Sequence, residues 1–326
     1  EAYLAPVVPS TPLDAVPLED EDDDLPGIFD VDDYVDERPP RRHDVTAVLV
    51  AHDGARWLPA VITALGRTTR LPDRLVAVDT GSTDETPDLL ARAVDAGLVS
   101  STVTAPRDSG FGAAVARGVE AAATAPRRSV PAPDGADPDE PAVRWVWLLH
   151  DDSAPAPHAL EALLRTADRY RSADILGPKV RGWGNRSALL EAGVTVARSG
   201  NRWTGLERRE LDQGQHDGDR DVLAVGSAGM LVRREVWDAL GGFDPALPFF
   251  RDDVDLCWRA RRAGHRVLVA TDAVVHHREA AAHRRRAVHA GNPPHPERPH
   301  RIDRASAVHL MRAHAAGVRG PLVTLR

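Results

Sequence analysis

One cysteine, Cys257, and one lysine, Lys179, are all that the 326 residues contain of either type. A single thiol rules out an intrachain disulfide and a cysteine-based zinc site, and it gives no sign of an oxidising compartment. No Gly-x-x-x-x-Gly-Lys-Ser/Thr run surrounds that lysine, so a P-loop nucleotidase is excluded. No Gly-x-Gly-x-x-Gly follows the first apolar run, which argues against a dinucleotide-binding oxidoreductase. No stretch reaches the roughly 20 apolar residues that a membrane helix needs, and the N-terminus lacks a basic-then-apolar signal pattern. The sequence opens at Glu1 rather than Met, as a piece of a longer protein would.

Charge is present in quantity but segregated. The formal net charge is -8, yet thirteen acids and no Lys or Arg precede Arg38, while ten Arg face three acids from Arg278 to Arg326. Residues 1–43, rich in Pro, Asp and Glu with no apolar period, read as an acidic disordered leader. Residues 278–326 read as a basic tail. Its apolar positions over Ile302 to Val318 fit a helix lying against an anionic membrane surface.

Between these ends, short apolar runs alternate with amphipathic segments. Strands are predicted at Val45–Ala51, Leu75–Asp79, Val99–Ala105 and Arg144–His150. Helices follow them at Trp57–Leu65, Asp84–Ala96, Gly112–Ala123 and His158–Tyr170. This alternation implies an α/β fold with a mainly parallel, Rossmann-like sheet flanked by helices, its ligands bound at the C-terminal strand edge. The second half reads as a smaller mixed region. Strands are predicted at Ala188–Ala197, Val222–Val232 and Val267–Val275, helices at Arg234–Leu240 and Val254–Ala263, and a polar loop over Gly200–Asp221.

Three strands end in acids, at Asp53, Asp79 and the Asp151-Asp152 pair. Burying carboxylates inside a sheet costs several kcal/mol each, so they belong at its edge, facing donors or a cation. Asp84 has a simpler use as a cap for the next helix. Asp79 suits a base N–H or ribose hydroxyls. Asp151 and Asp152, with His150 beside them, suit Mn²⁺ or Mg²⁺ bridging a diphosphate. A second cluster, Phe249-Phe250-Arg251-Asp252-Asp253-Val254-Asp255, puts acids at a helix start, where the dipole favours them. Asp255 suits a cap or a pair with Arg259 at i+4. That leaves Asp252 or Asp253 as a general base for an attacking hydroxyl. His276-His277 closes the last strand, and either imidazole could ligate metal.

On these residues the chain, from about Val45 to His277, resembles the family 2 glycosyltransferases, which have the GT-A fold. Val-Leu-Val-Ala-His-Asp53 is similar to the family's first strand, implying donor contacts from Ala51, His52 and Asp53. Val-Asp79-Thr-Gly-Ser-Thr-Asp84 resembles its Asp-x-Gly-Ser-x-Asp segment, with Asp79 on the base or ribose. Gly110-Phe-Gly112 through Arg117-Gly118 resembles the donor-side helix start, implying roles for Gly110 and Arg117, and Asp151 falls on the donor side too. Gly226-Ser-Ala-Gly229 onward resembles the acceptor wall, with Gly229, Asp252 and Trp258 implied there. Asp252-Asp253-Val-Asp-Leu-Cys-Trp258 looks like the family's Glu-Asp helix, making Asp253 the catalytic base. The metal-binding Asp-x-Asp falls on His150-Asp151-Asp152, so a histidine stands where the first Asp is expected. Asp152 keeps the metal position, with His277 and His150 as further ligands.

The resemblance implies a metal-dependent inverting transferase working on a nucleotide-diphosphate sugar and a hydroxyl acceptor, a glycan or lipid-linked glycan of the cell envelope. It implies Mn²⁺ or Mg²⁺ as cofactor and a cytoplasmic site at the inner membrane face. No nucleic-acid partner is expected. The implied domain runs over residues 44–277, with a donor half at 44–180 and an acceptor half at 181–277. The rival reading, prompted by His150, is a GT-A domain that binds a nucleotide sugar or partner with little or no turnover. A sugar-phosphate nucleotidyltransferase is disfavoured, because its Gly-rich basic loop after the first strand is missing.

Overall fold

A computed structural model describes residues 39–197, 200–283 and 299–315. The acidic leader up to residue 38, and the Arg-rich stretches at 284–298 and 316–326, lie outside the described residues.

The first half alternates as predicted. Strand β1 (His43–Ala51) leads to helix α1 (Leu58–Gly66), then β2 (Arg74–Asp79) to α2 (Thr86–Asp95), and β3 (Ser101–Thr104) to α3 (Phe111–Ala121). After a long loop come β4 (Val143–His150), β5 (Ser153–Pro155) and α4 (Ala159–Arg169). The second half holds β6 (Ala173–Gly182), β7 (Leu189–Glu191), β8 (Thr195–Val196), β9 (Arg202–Trp203), β10 (Arg220–Asp221) and β11 (Leu231–Arg233). It closes with α5 (Arg234–Leu240), α6 (Asp252–Arg262), β12 (Arg266–His277) and α7 (Pro299–Ala315).

The main sheet runs β10-β12-β6-β11-β4-β1-β2-β3. β1 lies parallel to β2 and β4, β2 to β3 and β12 to β6, while β11 runs antiparallel between β4 and β6. Strand periodicity explains the layers. Val45, Ala47 and Leu49 of β1 enter one core with Leu58, Leu90 and Leu160 from α1, α2 and α4. Val48 and Val50 enter the other with Val115 of α3 and Leu256 of α6. A strand apolar on both faces is what a parallel sheet covered on both sides requires. Gly118 allows α3 to lie close, since a Cβ there would stand 2.5 Å from Val48 Cγ1. Asp84 accepts from Thr86 N–H at 3.0 Å at the start of α2, the capping use expected of it.

Sequence and structure part company in the second half. β6 was not predicted, because Gly177 and Pro178 interrupt its apolar run. Pro178 has no N–H to donate, and the irregularity in β12 between Ala270 and Val274 falls opposite Pro178 and Lys179. The predicted strand at Ala188–Ala197 is split into β7 and β8. Of Val222–Val232 only the end enters β11, because the Gly226–Ala228 run leaves the ladder to form a cavity wall. Lys179 is buried, 3.1 Å from Asp212 and also paired with Asp217, so the one lysine is a structural ion pair. Cys257 is buried in α6, and burial pushes its thiol up to about 12, an unreactive state.

Helix α7 packs against the domain. Leu310 and Ala307 are buried, Ser306 Oγ donates to the Phe249 carbonyl at 3.0 Å, and His309 lies 2.9 Å from Asp244. Its opposite stripe, Arg301, Arg304, Val308 and Arg312, is exposed.

Candidate active site

The C-terminal ends of β1, β2, β4 and β12 and the start of α6 meet around a cavity of about 420 Å³. At the end of β1, the Ala51 carbonyl accepts from Thr80 N–H at 2.9 Å and Thr80 Oγ at 3.0 Å. His52 N–H donates to Asp151 Oδ2 at 2.8 Å, and its Nδ1 lies 2.8 Å from Thr80 Oγ1. Asp151 is wholly buried. Its carboxylate sits where only glycine permits, since a Cβ on Gly54 would stand 2.2 Å from Asp151 Oδ2. Asp53 takes Arg107 on both oxygens and Thr83 N–H at 2.8 Å. The bond from Arg107, outweighing burial, holds Asp53 well below the usual carboxylate range.

Asp79 accepts from Ser82 N–H at 3.1 Å and stands just behind the cavity wall, which Thr80 reaches. Gly110 lets the start of α3 lie against Pro248. A Cβ there would stand 2.5 Å from the Pro248 carbonyl, which accepts Phe111 N–H at 3.0 Å. Arg117, by contrast, points outward from α3 and is exposed, away from the wall where a donor contact was expected.

His150, Asp152 and His277 come together, with one ligand atom from each lying within 4.8 Å of the others. Among the described residues this is the one such group. His277 Nε2 is 3.3 Å from Asp152 Oδ1, whose other oxygen accepts Ala280 N–H at 2.8 Å. Strand alternation decides between the two histidines: His277 lines the cavity, and His276 faces the other way. Two imidazoles and a carboxylate are a donor set that Mn²⁺ accepts more readily than Mg²⁺.

On the other side, Phe250 and Arg251 both adopt left-handed backbone, at φ 61° and 66°. Such conformations cost about 1–3 kcal/mol each and persist where surrounding contacts enforce them. Here Arg251 is held by the Gly200 carbonyl at 2.7 Å and by Asp303 of α7 at 3.0 Å. The turn delivers Asp252 and Asp253 to the cavity at the start of α6. Asp253 Oδ1 accepts Val254 N–H at 2.8 Å, and Oδ2 lies 3.4 Å from Arg202. Arg202 also grips Glu191, a carboxyl raised by burial that accepts Gly226 N–H at 2.6 Å.

Burial, and then the charge of Asp253, push Asp252 up to about 8. The unfolded chain releases that proton near about 3.9. Between about pH 4 and about pH 8 the folded protein therefore holds the extra proton, and this residue makes stability fall as pH rises. Asp252→Asn is expected to flatten the decline, read as melting temperature against pH. Parallel curves for the variant and the parent would refute the protonated state.

Asp255 pairs with Arg259 at 2.7 Å, as its i+4 spacing predicted, and with His314 of α7 at 2.8 Å. Two expected acceptor-side residues stand outside the cavity. Gly229, at φ 95°, passes behind the wall, donating to the Leu148 carbonyl at 2.9 Å. Trp258 stacks on His314 at 4.5 Å and 11°, because α7 occupies its face of α6. Ser227, 3.0 Å from His150 Nε2, lies in the segment that the resemblance singled out. Arg202, Glu191 and Arg107 were not anticipated. They come from loops and two- or three-residue strands with no periodic pattern.

The chain matches the model of the family described as glycosyltransferase like family 2 across residues 40–288. It is a family 2 glycosyltransferase. The chain is 27% identical over 257 residues to an N-acetylglucosaminyl-diphospho-decaprenol L-rhamnosyltransferase of Mycobacterium tuberculosis, covering 74% of this chain and 78% of that one. A 75-residue stretch, 23% of this chain and 6% of the other, is 36% identical to the O-antigen biosynthesis protein RfbC of Myxococcus xanthus. GalNAc-T7 with UDP, GalNAc and Mn²⁺ superposes with a TM-score of 0.59 at 15% identity, over 85% of this chain. The chain spans about half of that structure, 48%. The mannosyltransferase PcManGT of Pyrobaculum calidifontis, with GDP-Man and Mn²⁺, gives 0.51 at 19% identity, over 88% of this chain and 79% of that one. These likenesses show that this glycosyltransferase has the GT-A fold.

Proposed function

We propose that this glycosyltransferase moves a sugar from a nucleotide-diphosphate sugar, with inversion at the anomeric carbon, onto a hydroxyl of a glycan or lipid-linked glycan. We place the reaction in cell-envelope polysaccharide synthesis. The observation that carries the reading is one cavity lined by both Asp253 and the His150–Asp152–His277 group. The cell-envelope assignment draws on the printed activities of the mycobacterial and Myxococcus relatives.

Asp253 takes the proton of the attacking hydroxyl while the bond from that oxygen to the anomeric carbon forms and the bond to the diphosphate breaks. Val254 N–H and Arg202 fix both carboxylate oxygens, so the base needs no reorganisation. Asp252, kept protonated by burial, adds no second negative charge beside it. His52, Thr80 and Arg107 line the nucleotide side of the cavity. His150, Asp152 and His277 would hold a divalent cation, whose chemistry there is to neutralise charge on the departing diphosphate. The test is a panel of nucleotide sugars by thermal shift, with and without Mn²⁺. The matching donor raises the melting temperature with the logarithm of its concentration relative to its Kd. No shift with any donor would reject the donor site.

We further place the enzyme at the inner face of the cell membrane. No described helix is long and apolar enough to cross a membrane. The exposed stripe of α7 offers Arg301, Arg304 and Arg312 around Val308, which is 46% exposed. An arginine near an anionic surface contributes about 1 kcal/mol. Replacing the three by Glu is expected to lower partition onto phosphatidylserine-containing vesicles by about a hundredfold or more, and salt should release the parent protein. Equal partition of the variant would exclude α7 as the contact.

A further inference from the structure

One wall of the cavity belongs neither to the nucleotide end nor to the His150–Asp152–His277 group. It is formed by β9 and the turn at Phe249–Arg251. The two residues of β9 have different surroundings. Arg202 is tied inward to Glu191 and Asp253. Trp203 lines the same cavity but is 60% exposed.

Among the described residues, three large apolar side chains are exposed: Trp203, the most open, then Val308 at 46% and Leu211 at 44%. Trp203 is the one of the three that reaches the cavity. An indole held in water forgoes the burial that usually fixes tryptophan in a fold. Its position is nonetheless set. Trp203 pairs with Thr195 in the β8–β9 ladder, and the neighbouring Arg202 is clamped by two acids. The other aromatics of this wall, Phe249 and Phe250, are half-buried and pack on each other at 5.8 Å. The indole is the open ring.

We propose that Trp203 is the stacking platform for a pyranose ring of the acceptor, and that the β8–β9 hairpin selects that ring. The proposal rests on the reading of Asp253 as base, because Arg202 links the hairpin to that carboxylate. A pyranose presents a face of C–H bonds and a rim of hydroxyls. The wall offers the complement: one flat indole, with Thr204, Glu279 and Asp303 lining the same cavity as hydrogen-bonding groups. A polyprenyl chain needs a continuous apolar groove, whereas here a single open ring stands among polar and charged side chains.

The test uses the full chain with the donor found by thermal shift. Methyl pyranosides serve as acceptor probes, and nucleotide release with water as acceptor is measured in parallel. Trp203→Ala is expected to raise the acceptor KM about tenfold, the size of an aromatic stacking contact. Release to water should stay at the parent rate, and Trp203→Phe should recover most of the loss. Leu211→Ala, which removes an exposed apolar side chain outside the cavity, should change neither quantity. An unchanged acceptor KM in Trp203→Ala overturns the proposal. Full recovery by Trp203→Leu does so as well, since it would signify an apolar contact without ring stacking. A parallel fall in release to water would make Trp203 a structural or donor-side residue, a third refutation. Failure of the site reading shows elsewhere: release to water would then survive Asp253→Asn, whatever Trp203 does.

Discussion

Asp253→Asn is expected to lower the turnover number of sugar transfer by about 10² to 10⁴, with donor affinity nearly unchanged. The amide matches the carboxylate in shape and keeps an oxygen for Val254 N–H, now accepting at 2.8 Å. It does not take a proton. Arg202 loses one partner and keeps Glu191, so the variant leaves no wholly unpaired buried cation. The loss should therefore appear in kcat rather than in folding, and a circular-dichroism melt separates the two. Asp252→Asn replaces an acid whose protonated form burial favours, so its effect on turnover should be much smaller. Equal losses in the two variants, or near-parent turnover in Asp253→Asn, would reject Asp253 as the base.

Removing divalent cations by chelation and gel filtration is expected to lower transfer by about 10³ or more, with Mn²⁺ restoring it. His150, Asp152 and His277 place three candidate ligand atoms within 4.8 Å of one another and would hold a divalent cation, whose chemistry there would be to neutralise charge on the diphosphate. Asp152→Asn should weaken Mn²⁺ binding, read by calorimetry or electron paramagnetic resonance independently of turnover. The amide oxygen still accepts Ala280 N–H, now received at 2.8 Å, so the backbone at residue 280 stays in place. Full activity in metal-free protein, or unchanged Mn²⁺ affinity in the variant, would dispose of the site.

The parallel half of the fold was legible because both faces of each strand are buried and Gly, Pro and Asp punctuate the runs. β1, β2 and β4 each end within a residue or two of their predicted limits, and their terminal acids reach one edge because parallel crossovers put them there. The second half was harder. β6 contains Gly177 and Pro178, so its apolar period breaks where the fold tolerates the break through an irregularity in β12. Of the residues that the fold brings to the cavity, Asp253, Asp152, His150 and His277 were named in advance from motif order and strand ends. Arg202 and Glu191 were not, since a residue on a two- or three-residue strand leaves no pattern and gains its role from tertiary packing alone. Trp258 failed for a related reason. Its helix was read correctly, but the partner covering it, His314, comes from α7, which the charge pattern assigned to a membrane surface.

The brace between Arg251 and Asp303 joins positions 52 apart in the chain. During synthesis the whole sheet is translated before that aspartate emerges from the ribosome, and folding proceeds from the N-terminal side as the polypeptide lengthens. Until then the turn ahead of Asp252 has the Gly200 carbonyl to hold Arg251 but not the carboxylate of Asp303. The contact that braces this turn is thus among the last to become available to the growing polypeptide.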